Sequence, residues 1–188
     1  MVARRALIVT GVVVLATSGT SAAEQSIELA VGVNQPLASD EWRESADTGF
    51  KVAGRGTSTT RGPRLVIGME WARSSRDGFR RYDRFRLLLG PALETSFWGM
   101  GFSARATVGA DVVAATTVTT EPTFGLPVED REIEPGVGGE VAATLWFLRT
   151  GDLDVGVSVG LPIAVHWGDA QLEYFEIGLD GMAVLRLR

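Results

Sequence analysis

His166 is the single histidine of this 188-residue chain, and so its one side chain suited to proton transfer near neutral pH. The nearest serine on its own stretch, Ser158, is eight residues away. On an extended strand that separation is about 26 Å at 3.3 Å per residue, so the two cannot touch. A hydrolytic pair would need Ser74 or Ser75 from a neighbouring loop and a carboxylate such as Glu173 or Glu176 from a neighbouring strand. A histidine held in a polar network near one rim of the fold requires none of these coincidences and is the preferred reading. Cysteine is absent, which removes disulfides, thiol nucleophiles and Cys-ligated zinc together.

The remaining candidate chemistry is electrostatic. Residues 34–47 hold Asp40, Glu41, Glu44 and Asp47 against Arg43, and residues 113–135 hold Glu121, Glu129, Asp130, Glu132 and Glu134 against Arg131. Carboxylate oxygens suit hard divalent cations, but neither stretch has calcium-loop spacing, so both read as solvated acidic loops and no metal is assigned. Arg73, Arg76, Arg80 and Arg81 crowd one short connection, where guanidinium groups suit phosphate oxygens. They are the candidate binding residues, with a solvated hairpin as the plainer alternative. The glycine-rich stretches Gly99-Met100-Gly101 and Gly136-Val137-Gly138-Gly139 precede no helix and so form no phosphate loop. A formal charge of -5 and a pI near 5.0 argue against nucleic acid.

The elements that must position these residues begin after a segment that lies outside the fold. Met1 to Ala23 combines Arg4 and Arg5, an apolar run over residues 6–17 and small residues ending in Ser21-Ala22-Ala23, the pattern of a cleaved secretory signal peptide. Its removal takes the net charge from -5 to -7. The mature chain, residues 24–188, is a single domain of period-two alternation broken by Gly, Pro, Asp, Ser and Thr clusters, which is the strand signal. Strands are expected over residues 27–33, 65–71, 85–91, 98–112, 137–147, 153–165 and 175–187. An eighth over residues 48–55 is required for short and long connections to alternate around the ring. Outer loops then fall at residues 34–47, 73–79, 113–135 and 166–173, and inner turns at 56–62, 93–96 and 149–152.

The glycines decide which face meets water. Ten of them, including Gly68, Gly109, Gly156 and Gly160, lie on the polar phase. On a solvated strand surface they would cost entropy and pack nothing, whereas inside a narrow eight-stranded barrel they make room. Charges share that phase, and Glu28, Glu70, Arg86, Arg105, Asp111, Glu140, Glu176, Asp180 and Arg186 are expected to form an interior polar network. Lys51 and Asp154 lie on the same phase. The apolar phase then faces lipid, with Trp71, Trp98 and Trp167 near the two interfaces. Trp146 falls on the polar phase, and either a bulge rotates it outward or it plugs the inner mouth. Pro162 removes a ladder donor and suggests a bulge or fraying.

In export signal, strand number, loop asymmetry and alternation, residues 24–188 with their leader resemble the small eight-stranded outer-membrane β-barrels of Gram-negative bacteria. The resemblance implies an all-β, antiparallel, up-and-down transmembrane barrel, outer-membrane lipids and the barrel-assembly machinery as partners, and an envelope-structural or surface-contact role carried by the outer loops. It implies no cofactor and no enzymatic activity, apart from a lipid-modifying alternative centred on His166. The chain departs from that family in ending Leu185-Arg186-Leu187-Arg188 rather than in an aromatic residue. The competing reading is a soluble lipocalin-like barrel with Trp98, Met100 and Phe102 lining an apolar ligand cavity. Oligomeric state is not encoded in any of these features.

Overall fold

The computed structural model describes residues 25–38, 48–58, 64–76, 80–120, 127–167 and 174–188. The signal segment and the acids at residues 40, 41, 44, 47 and 121 lie outside the described residues. Eight strands are present: β1 (Gln25–Ala38), β2 (Gly49–Ser58), β3 (Arg64–Arg76), β4 (Arg80–Phe97), β5 (Met100–Thr120), β6 (Pro127–Arg149), β7 (Leu153–His166) and β8 (Tyr174–Leu187). Each pairs antiparallel with its chain neighbours, and β1 pairs with β8 to close the ring. The weakest expectation from sequence, a strand over residues 48–55, is realised as β2. It is held from Gln25↔Ser58 to Asn34↔Gly49 on one side and from Phe50↔Arg73 to Ser58↔Leu65 on the other.

Two connections differ from the sequence reading. The turn expected at residues 93–96 sits at Trp98-Gly99, where both residues have positive φ (51° and 77°). That is the signature of a two-residue type I′ hairpin, whose twist matches the flanking strands and which glycine fits without strain. Trp98 thus tops a turn, 85% exposed and stacked on Phe97 at 4.7 Å, instead of opening a strand. The long loop expected at residues 113–135 is mostly ladder, from Val113↔Glu134 to Thr120↔Pro127. β5 and β6, at 21 and 23 residues, are about twice the roughly 9–11 residues that cross a bilayer. Their hairpin therefore stands beyond the rim where β7 ends.

The apolar phase faces outward on every strand. Leu29, Val31, Ile67, Met69, Leu87, Leu89, Val108, Val141, Val157, Val159, Leu161 and Leu179 are among the exposed large hydrophobic residues. Trp98, Met100 and Phe102, which the soluble reading placed around a cavity, lie on this outer surface. The inward phase alternates small residues such as Ala30, Ala53, Ala142 and Ala164 with charged ones, which lets long ionic side chains cross a narrow bore.

Bulges and prolines account for the irregular positions. A register shift between Trp146 and Leu148 turns Phe147 and Leu148 both outward and leaves Trp146 inside, 0% exposed. Of the two fates open to Trp146, the inner plug is the one adopted. Pro162 also points inward and keeps its register with Glu140. On the other side the β7–β8 ladder skips Leu161 and Pro162, between Gly160↔Asp180 and Ile163↔Ile177, without a shift. Pro91 interrupts β4–β5 in the same way, between Leu89↔Val108 and Ala92↔Arg105, because a proline has no N–H for the ladder.

Candidate functional site

The interior is an axis of ion pairs whose order follows from register. Glu70↔Arg86 and Arg86↔Asp111 are cross-strand partners on β3, β4 and β5, so alternating charges stand side by side on the inner wall. Arg86 Nε donates to Asp111 Oδ2 at 2.9 Å, and Arg84 Nε reaches the same carboxylate at 2.9 Å. Lys51 crosses the bore. Its Nζ lies 2.7 Å from Glu70 Oε2 and 2.9 Å from Glu140 Oε2, and it also pairs with Asp180, tying β2 to β3, β6 and β8. Arg55 adds a bond to Glu70 at 2.8 Å, and Arg105 one to Glu140 at 2.5 Å. Asn34 donates to Asp180 Oδ1 at 2.5 Å. All of these side chains are buried. A charge removed from water is tolerated only when paired in this way.

A second cluster closes the inner mouth. Arg186 lies 2.7 Å from Glu94 and 2.5 Å from Asp154. Its guanidinium also covers the Trp146 ring at 4.2 Å, a favourable cation–π geometry. Trp146 Nε1 donates to Ser103 Oγ at 3.2 Å. The ring fits because Gly156 faces it: a Cβ there would stand 2.9 Å from Trp146 Cε3. Arg64 and Arg149 also reach Glu94, and Arg188 reaches Asp154 at 2.7 Å. Glu28 lies 4.0 Å from Arg186.

Eight of the nine expected interior residues are therefore buried on the inward phase: Glu28, Glu70, Arg86, Arg105, Asp111, Glu140, Asp180 and Arg186. The ninth, Glu176, has its backbone in β8 opposite Ala164, and its side chain lies outside the described residues. Sequence reasoning missed Arg55, Arg84, Arg64 and Glu94. Arg84 and Glu94 lay beyond the expected ends of their strand, so no phase was assigned to them.

His166 is fully buried, with Nε2 3.5 Å from Asp111 Oδ1. Gly136, between them in register, makes the approach possible, since a Cβ there would stand 2.5 Å from His166 Cδ2. Ser158 is far down the barrel beside Arg105 at 3.5 Å. Ser74 and Ser75 pair with Tyr82 and Arg81 on β4. Ser158 is thus not brought to His166, and Glu173 lies outside the described residues. Among the described residues no group of three His, Asp or Glu is arranged to hold a metal ion.

The arginine-bearing connection is a hairpin of β3 and β4. Arg73 is cross-strand to Asp83 and Arg76 to Arg80. Arg73 Nε donates to Asp83 at 2.7 Å, and Arg81 lies 3.3 Å from the same carboxylate. Arg73 also covers Trp71 at 5.0 Å, and Trp71 meets Phe50 edge-on at 6.3 Å. The outer edge of the apolar belt is therefore marked by an aromatic pair with half-exposed guanidinium groups directly above it.

No family model and no curated protein matches the sequence. Among solved structures, the chain superposes on Neisserial surface protein A with a TM-score of 0.60 at 9% identity, over 89% of this chain and 99% of that one. It superposes on Ail, the attachment invasion locus protein of Yersinia pestis, with a TM-score of 0.51 at 11% identity, over 87% and 99%. This chain has the fold of the small eight-stranded outer-membrane β-barrels. At 9% and 11% identity the likeness is one of fold alone.

Proposed function

We propose that the barrel is a filled structural element of the outer membrane, reached through a cleaved export signal, that contacts its surroundings through the outer hairpins. The observation that carries this reading is the reversal of ordinary burial, with aliphatic side chains outside and paired charges along the axis. Two cavities on the axis, beside Asn34 and Lys51 and beside Ser103 and Arg186, have about 10 and 20 Å³. Each has room for about one water molecule, which supports the reading of a filled bore. Arg73, Arg76, Arg80 and Arg81 are assigned to phosphate groups of outer-leaflet lipids, supported by the position of Arg73 over Trp71, which in turn meets Phe50.

Fractionation tests residence: the mature chain should partition with outer membranes and migrate differently on gels with and without heating. Recovery in the aqueous fraction without detergent would refute it. In planar bilayers the purified barrel should show no discrete single-channel steps, and regular openings would contradict a filled bore. Replacing all four arginines by glutamine should weaken binding to vesicles bearing monophosphoryl lipid A, with no effect on phosphatidylcholine vesicles. Equal loss on both would remove the phosphate assignment.

A further inference from the structure

We propose that the free edge of β6 above the rim, residues 127–133, is a docking site for an extended basic polypeptide segment that adds to it as a strand. β6 has partners on both sides only as far as Gly136↔His166, after which Trp167 N–H donates to the Pro135 carbonyl at 2.9 Å. Farther out, β6 is paired with β5 alone among the described residues. Successive residues of a strand send their backbone groups to opposite sides. Because the Pro135 carbonyl faces β7, the N–H and C=O of Ile133, Arg131 and Glu129 face the free side, while Val128, Asp130 and Glu132 face β5. Pro127 and Pro135 both have the free-side parity, so their missing N–H costs the β5–β6 ladder nothing. They bracket a short stretch of donors and acceptors that no strand uses among the described residues.

Charge selects the occupant. Every side chain from Pro127 to Ile133 is exposed. The residues facing Glu129, Asp130 and Glu132 across the ladder are Val118, Thr117 and Ala115, none of which is a cation. A second copy of the same acidic edge would set carboxylate against carboxylate, which is unfavourable directly across a ladder. A neutral strand would gain the backbone bonds alone. A basic strand gains both, with main-chain bonds supplying affinity and lysines or arginines at every second position, all on one face, meeting Asp130 and Glu132 on the face that lacks Arg131. The site uses none of the arginines assigned to lipid, so its failure would leave that reading intact.

The test uses the mature barrel in phospholipid nanodiscs, two eight-residue peptides alternating Lys with Thr or Glu with Thr, and residue-resolved amide exchange. In the free barrel, amides of Glu129, Arg131 and Ile133 should exchange quickly while those of Val128, Asp130 and Glu132 are protected by β5. The Lys–Thr peptide should slow the first set and the Glu–Thr peptide should not. Ile133→Pro removes a free-side donor without touching the ladder to β5 and should abolish the slowing. Asp130→Asn with Glu132→Gln should weaken Lys–Thr binding roughly two- to thirtyfold. Equal protection by both peptides, unchanged binding in Ile133→Pro, or free-side amides already protected by another part of the chain or a second copy would each overturn the proposal.

Discussion

Replacing Lys51 by methionine keeps a side chain of similar length and deletes the charge that spans the bore. Its three carboxylate partners are affected unequally. Glu70 retains Arg55 at 2.8 Å, and Glu140 retains Arg105 at 2.5 Å. Asp180 keeps the hydrogen bond from Asn34 at 2.5 Å but, among the described residues, no cation. The loss therefore concentrates on one buried carboxylate, and breaking such a pair from one side costs about 3–5 kcal/mol. Removing both charges, in Lys51→Met with Asp180→Asn, should bring stability back to within roughly 1–2 kcal/mol of wild type, because a neutral pair leaves no stranded ion. Denaturant titration of barrels reconstituted in lipid vesicles, read by tryptophan fluorescence and by unheated gel mobility, gives the free energies. A single variant indistinguishable from wild type, or a double variant no more stable than the single, would refute the assignment of Asp180 as the stranded charge.

Trp146→Ala should cost about 3–5 kcal/mol in the same titration, since it empties a fully enclosed site and removes the ring beneath Arg186. Gly136→Ala should destabilise by about 1–3 kcal/mol through overpacking. Adding His166→Ala should recover only part of this, because the Val165 carbonyl also stands 2.5 Å from the new Cβ. Val159→Arg, on the outer face in mid-belt, should cost about 2–4 kcal/mol in vesicles, whereas Leu187→Arg at the end of β8 should cost at most about 1 kcal/mol. Equal penalties at the two positions would argue against lipid contact along the belt.

The strands and their phases were legible because lipid demands one apolar face without exception. Phe102 to Val112 and Leu153 to Val165 advertise that face directly, and the charges inherit the other. The extension of β5 and β6 was hidden for the same reason: residues 127–133 are wet on both faces, so no apolar phase marks them, and their Pro and acid content mimics a loop. Trp146 looked misplaced because it is a large aromatic on the inward phase; that phase is kept, and the Gly156 that makes room for the ring becomes its neighbour only through the β6–β7 register. The partners of Lys51 depend on the stagger with which eight strands close, a property of the whole ring. The contact of His166 with Asp111 is of the same kind, since it passes over an intervening glycine on a third strand.

The two proline interruptions have a mechanical consequence. The seams they weaken, β4–β5 and β7–β8, split the wall into one panel of three strands and another of five. Under load or thermal agitation such a tube should part along those lines before tearing elsewhere, and its last assembly event should be the zipping of one panel onto the other.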